Sequence, residues 1–360
     1  MPGNRKTELS AASLVLMTLV VFIHSAAECV TGYDPASLPF LLAASAHRVA
    51  SFAVQGFLFL AGLKLTLRMA DDFSYTRYAR GRLIRIGLPY LIAFSAFFAV
   101  YALTGRLSDP SPASFLIPFF TGGLTGHFYF VAVMAQFCLL VPLWRALQKK
   151  AHPALLLFVS LMLTLVFMDH MPELVRLATG FRVELTRNAA LFTTYLFYWT
   201  AGMAAGSRYP DFAAFLDKQK RPLTVLWLLA VVVDCALLIA IRRGTYYALW
   251  SDDFHLLTCT LAILSLLAHA RTLPASAVSA LAPADRASYL IYLWHPMTIL
   301  ALDSAMNRLG IHALGIHALG IRSLALRFLL RFPLTLLLTA ALCILWQALT
   351  SRLFHPSPKN

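Results

Sequence analysis

Charge is what this sequence has least of. Only 13% of its 360 residues are Asp, Glu, Lys or Arg, against 59% hydrophobic residues, and the mean hydropathy is +0.72. A soluble domain carries about a quarter charged residues, so this chain cannot cover a water-facing surface and reads as an integral membrane protein. Acidic residues are scarcest: 16 against 30 basic ones, a formal net charge of +14. The basic residues cluster between apolar segments, and no aromatic–basic patch of a nucleic-acid reader accompanies them, so nucleic acid is not an expected partner. The five cysteines (Cys29, Cys138, Cys235, Cys259 and Cys343) form no CxxC pair and lie in or beside apolar runs. That argues against a disulfide framework or a zinc site and for small buried hydrophobes; no metal is expected. No GxxxxGK[ST], HExxH or GxSxG occurs, which argues against a P-loop pump, a zincin protease and an α/β-hydrolase. Long polar stretches are also missing. Residues 1–360 therefore read as a single transmembrane domain without a separate soluble one.

What is present is a succession of apolar runs. A spanning helix needs roughly 20 mostly apolar residues, and about ten such segments are found. They are Leu9–Glu28, Arg48–Arg68, Ile86–Gly105, His127–Leu147, Pro153–His170, Ala189–Ser207, Pro222–Ile241, Phe254–Ala270, Ser288–Asn307 and Leu326–Leu353. The expected class is all-α, a polytopic membrane helix bundle. The first run follows Arg5 and Lys6 like a signal peptide, but it lacks a small-residue cleavage site and reads as a retained helix. Arg68, Arg77, Arg80, Arg82 and Arg85 lie between the second and third segments. Arg145, Lys149 and Lys150 follow the fourth, and Arg208, Lys218, Lys220 and Arg221 follow the sixth. Retention of such loops on the inner side places both termini in the cytoplasm. Arg308, Arg322, Arg327 and Arg331 run against that assignment, falling on or near the outer side. Their loop also holds a tandem IHALG at Ile311–Gly315 and Ile316–Gly320, which reads as a local duplication rather than a solenoid or a paired-His site.

Ionisable groups within a membrane are costly, so each is a functional candidate. His24 and Glu28 stand four residues apart and share a helix face. A carboxylate on one imidazole nitrogen leaves the other free as a base, while a solvated interfacial pair is the plainer account. His127 opens GHFYFVAVMAQFCLLVPLW at a helix end, where an aromatic belt would also explain it. His295, in SYLIYLWHPM, lies about halfway along its segment, and Pro296 removes one backbone donor beside it. A structural hydrogen bond and a chemical role are both open for it. Asp234 is open between polar packing and proton relay. Lys64 can snorkel. Arg327 and Arg331, four apart, could bind an anionic group together, with interface anchoring the more common explanation. RYARGRLIRIGLPYLI packs Arg77, Arg80, Arg82 and Arg85 before a helix. Positive-inside retention accounts for them, and arginine also grips phosphate in forked geometry.

The order of these pieces resembles the membrane-bound acyltransferase 3 family, which O-acylates polysaccharides, lipopolysaccharide, peptidoglycan and periplasmic glucans. The similar stretches are LVVFIHS, VQGFLFLAGLKL, RYARGRLIRIGLPYLI, GHFYFVAVMAQFCLLVPLW and SYLIYLWHPM. The family's ten-helix plan agrees with the segment count. The resemblance implies transfer of a short acyl group, acetyl or succinyl, from cytosolic acyl-CoA to a hydroxyl of an extracytoplasmic glycan, in the bacterial inner membrane. It assigns His24 as general base, with Glu28 beside it. Arg77, Arg80, Arg82 and Arg85 would hold the CoA phosphates, and His127, Tyr129, Tyr292 and His295 would line the acceptor site or the acyl passage. Two positions depart from the family pattern: Ser13 stands where many members carry arginine, and Ala61 precedes Gly62 where many carry serine. A multi-pass transporter or exporter of a sugar or lipid is the alternative, although no matched pair of broken helices supports it.

Overall fold

The computed structural model describes residues 6–69, 73–180, 188–248, 250–308 and 320–354. Among these residues every regular element is helical. The IHALG tandem falls almost wholly outside them, so its reading is neither supported nor opposed. The chain forms two compact units. One comprises Met1–Phe57 and Ala213–Asn360, the other Leu58–Phe212.

In the first unit α1 (Thr7–Gly32) packs against α2 (Leu38–Ala50), α12 (Ser251–Ala270), α14 (Ala282–Arg308) and α15 (Gly320–Phe354). The α1–α14–α15 seam is a hydrophobic cluster of Leu14, Met17, Val21, Ala287, Ile291 and Cys343. Phe40 and Ala44 of α2 meet Ile239 of α11 (Tyr209–Arg242). Ser37 caps α2, its hydroxyl accepting from the Phe40 N–H, and Pro39 follows where a missing backbone donor costs nothing.

The second unit contains most of α3 (Ala53–Leu67), then α4 (Tyr75–Arg82), α5 (Leu88–Leu103), α6 (Pro112–Thr121), α7 (Tyr129–Leu139), α8 (Val141–Lys150), α9 (Pro153–Ala178) and α10 (Leu196–Ser207). Two glycines let α3 and α10 touch backbone to backbone. A Cβ on Gly62 would collide with the Trp199 carbonyl, and one on Gly202 with that of Phe59. Between α4 and α5 the helix widens to a π turn over Leu83–Gly87. Pro89 supplies the reason: it has no N–H for the Arg85 carbonyl, and its ring crowds that group in a regular helix.

Among the described residues seven helices are long and apolar enough to cross a membrane: Thr7–Gly32, Leu38–Leu67, Tyr75–Leu103, Pro153–Ala178, Tyr209–Arg242, Ser251–Ala270 and Leu324–Thr350. The pair Tyr129–Leu139 and Val141–Lys150, bent by 54°, makes eight if it is one span. Two of the expected ten segments do not meet the test. Ala189–Ser207 breaks into short 3₁₀ turns and the 12-residue α10. Ser288–Asn307 does lie within a 27-residue helix, α14, but Asp285, Arg286, His295 and Asp303 dilute its apolar content.

Candidate active site

The first unit gathers the titratable groups of α1, α14 and α15. His295 is fully buried, and the sequence around it fixes how it is held. Pro296 lacks the N–H that a helix would donate to the carbonyl four residues earlier, that of Tyr292. The His295 imidazole takes its place: Nδ1 lies 2.8 Å from the Tyr292 carbonyl and 3.2 Å from that of Ile291. A carbonyl only accepts, so Nδ1 carries the proton and Nε2 keeps the lone pair. The His24 ring, half-buried on α1, sits 5.0 Å from the His295 ring, centroid to centroid, at 47°. Tyr292 is buried, its ring 6.1 Å from that of His295 and stacked on Tyr289.

Glu28 has other company. Its Oε2 lies 2.9 Å from Arg331 Nη1 and its Oε1 lies 3.5 Å from Arg327. Asp303 of α14 completes the group, 3.1 Å from Arg331 and 3.3 Å from Arg327. Two guanidinium groups and two carboxylates balance. Arg331, only 2% exposed, also donates from Nε and Nη2 to the Ser25 carbonyl. These arginines are therefore not the lipid-interface anchors that their spacing suggested. They tie α15 to α1 and α14 next to His24. Sequence reasoning had one signal here, the i,i+4 arginine pair; only the fold joins it to Glu28 and Asp303.

The second unit holds the arginine-rich segment. A cavity of about 240 Å³ is lined by Arg68, Arg77, Arg82 and Arg85 together with Leu65, Phe73, Tyr78 and Gly81. The Arg82 guanidinium lies 5.0 Å from the Tyr78 ring centroid, and Tyr78 donates to Cys138 Sγ at 3.3 Å. Arg80 is exposed and outside this wall, while Arg68, not singled out before, joins it. Charge and forked donors suit a polyphosphate; the volume suits phosphates rather than a whole coenzyme. His127 is buried in the same unit, its Nδ1 against Thr125 Oγ1 and its ring 4.2 Å from that of Phe128. Tyr129, half-buried, hydrogen-bonds Tyr195. Among the described residues no group of three His, Cys, Asp or Glu side chains is placed to hold a metal ion.

A family described as an acyltransferase domain matches residues 11–347. The chain belongs to the acyltransferase 3 family. The match covers α1 and its His24, the arginine-rich α4, both histidine segments and most of α15. It makes the protein a multi-pass membrane acyltransferase. No curated protein and no solved structure matches the chain.

Proposed function

We propose that this acyltransferase moves a short acyl group, acetyl or succinyl, from cytosolic acyl-CoA to a hydroxyl of an extracytoplasmic glycan, with His24 as general base. The observation that carries this reading is the His24–His295 pair. Both its rings belong to family-like stretches, and the inner ring is locked in one tautomer by the carbonyl that Pro296 frees. A locked, buried neighbour leaves the half-buried His24 as the ring that meets the acceptor. His24 takes the hydroxyl proton as that oxygen attacks the thioester carbonyl, and the leaving thiolate is protonated in turn. Glu28 is better cast as a positioning residue than as the acid–base partner of His24: its carboxylate is committed to Arg327 and Arg331, which hold the His24 end of α1. The donors of Arg331 are likewise committed, as is the Nδ1 proton of His295, so both are poor suppliers for the oxyanion; Tyr292 remains the candidate. Arg68, Arg77, Arg82 and Arg85 would grip the donor's phosphates, and His127 and Tyr129 would line the acceptor or acyl path.

The arginine- and lysine-rich loops favour an inner-membrane orientation with both termini in the cytoplasm. The test uses purified protein in proteoliposomes with labelled acetyl- and succinyl-CoA and a panel of glycans. Label on a glycan hydroxyl, lost in His24→Ala, is the expected result. No acylated glycan with any donor, alongside movement of an unmodified sugar or lipid across the vesicle, would replace the enzyme reading with transport.

A further inference from the structure

Outside the His24 group, the first unit contains a second chain of reactive side chains. Ser51 sits in the turn that joins α2 to α3, His255 in the first turns of α12, and Asp234 within α11. His255 Nε2 lies 2.8 Å from Ser51 Oγ, and His255 Nδ1 lies 2.6 Å from Asp234 Oδ2. Arg48 donates to both oxygens of Asp234 at 2.9–3.2 Å. Arg48 Nη2 also lies 3.7 Å from Asp252. With the Asp234 carboxylate accepting at Nδ1, the neutral form of the imidazole turns its Nε2 lone pair toward Ser51. Hydroxyl, imidazole and carboxylate in that order form the arrangement that activates a serine.

Two details favour Ser51 as the reacting atom. Cys259 Sγ also lies 3.3 Å from His255 Nε2, but Cys259 is 1% exposed; Ser51 is only partly buried, and the His255 side chain is 14% exposed. Moreover, Ser51 Oγ lies 2.7 Å from the Arg48 carbonyl. The hydroxyl proton thus has a resting acceptor and a catalytic one. The Arg48 cation weakens the base relative to an unpaired Asp–His dyad, which predicts slow turnover.

We propose that Ser51 is a nucleophile toward short-chain thioesters and activated esters, giving the protein a hydrolytic activity separate from transfer at His24. Ser51 Oγ bonds to the acyl carbon as the C–S or C–O bond breaks. Its proton passes through His255 Nε2 to the leaving sulfur or oxygen. Water then attacks the serine ester, gives a proton to His255 Nε2, and that proton returns to Ser51 Oγ as the carboxylic acid departs.

The experiment is labelling of the detergent-purified full chain with a fluorophosphonate, followed by peptide mass spectrometry, with p-nitrophenyl acetate hydrolysis in parallel. The expected result is phosphonylation at Ser51, abolished in Ser51→Ala and slowed roughly tenfold or more in Asp234→Asn. The wild-type labelling site needs no variant to be read, so misfolding cannot mimic it. An unlabelled Ser51 under conditions that label a soluble serine esterase would overturn the inference, as would labelling confined to other residues. Since no acyl-CoA is supplied, the result is independent of the transferase reading. Loss of transfer in His24→Ala with Ser51 still labelled would leave this inference standing; an active transferase with inert Ser51 would remove it alone.

Discussion

The Nδ1 of His295 lies 2.8 Å from the Tyr292 carbonyl, the one acceptor that Pro296 leaves without a helical donor. Replacing Pro296 by Ala restores that N–H and puts it in competition with the imidazole. A proline in a helix interior costs about 3 kcal/mol, so Pro296→Ala should raise the thermal midpoint or leave it unchanged. Acyl transfer should nevertheless fall by roughly tenfold as the His295 tautomer is released. A stabilised variant with full activity would show that the tautomer lock has no catalytic bearing.

Arg331 is the buried centre of the second relationship. Removing one partner of a buried ion pair costs about 3–5 kcal/mol because the other charges stay behind. Arg331→Leu should therefore lower the midpoint of thermal unfolding in detergent by many degrees. Arg331→Leu combined with Asp303→Asn should recover part of the loss. Equal destabilisation in the single and the double variant would contradict the network described here.

The arginine cavity yields a contrast within a single segment. Arg82 and Arg85 line it and Arg80 does not. Each charge-assisted contact contributes about 1.5–3 kcal/mol, so Arg82→Ala or Arg85→Ala should raise the donor KM roughly tenfold or more. Arg80→Ala should change it little. Equal effects at all three positions would point to a diffuse attraction rather than a site.

Gly202 tests the packing that shapes the second unit. A methyl group there meets the Phe59 carbonyl, and overpacking of this kind costs about 1–3 kcal/mol. Gly202→Ala should thus lower thermal stability, whereas Gly81→Ala, where a Cβ meets no atom within 4 Å, should not.

Much of the helical plan was legible because apolar runs long enough to span a bilayer leave little choice of structure. The count was not. Ala189–Ser207 has the composition of a span, yet local turns at Asn188–Ala190 and Phe192–Tyr195 shorten it, and no periodicity announces them. At the site, His24 and His295 were visible as ionisable groups in greasy surroundings, and Pro296 as a missing donor. Their mutual approach was invisible, since it joins positions 271 residues apart. Glu28 was read with His24 because they share a helix face. The fold gave its carboxylate to two arginines from α15, a choice set by tertiary packing. Ser51 and His255 carried no signal at all: one is an ordinary turn serine, the other an ordinary helix residue, and they acquire meaning only where that turn meets α11 and α12.

The most direct measurement is the rate of label transfer from acyl-CoA to glycan in wild type and His24→Ala, with donor binding measured separately on both. Loss of a general base predicts a fall of about 10²–10⁴-fold in kcat with donor affinity unchanged. A variant that keeps its kcat, or loses activity only through weakened donor binding, would contradict His24 as the base.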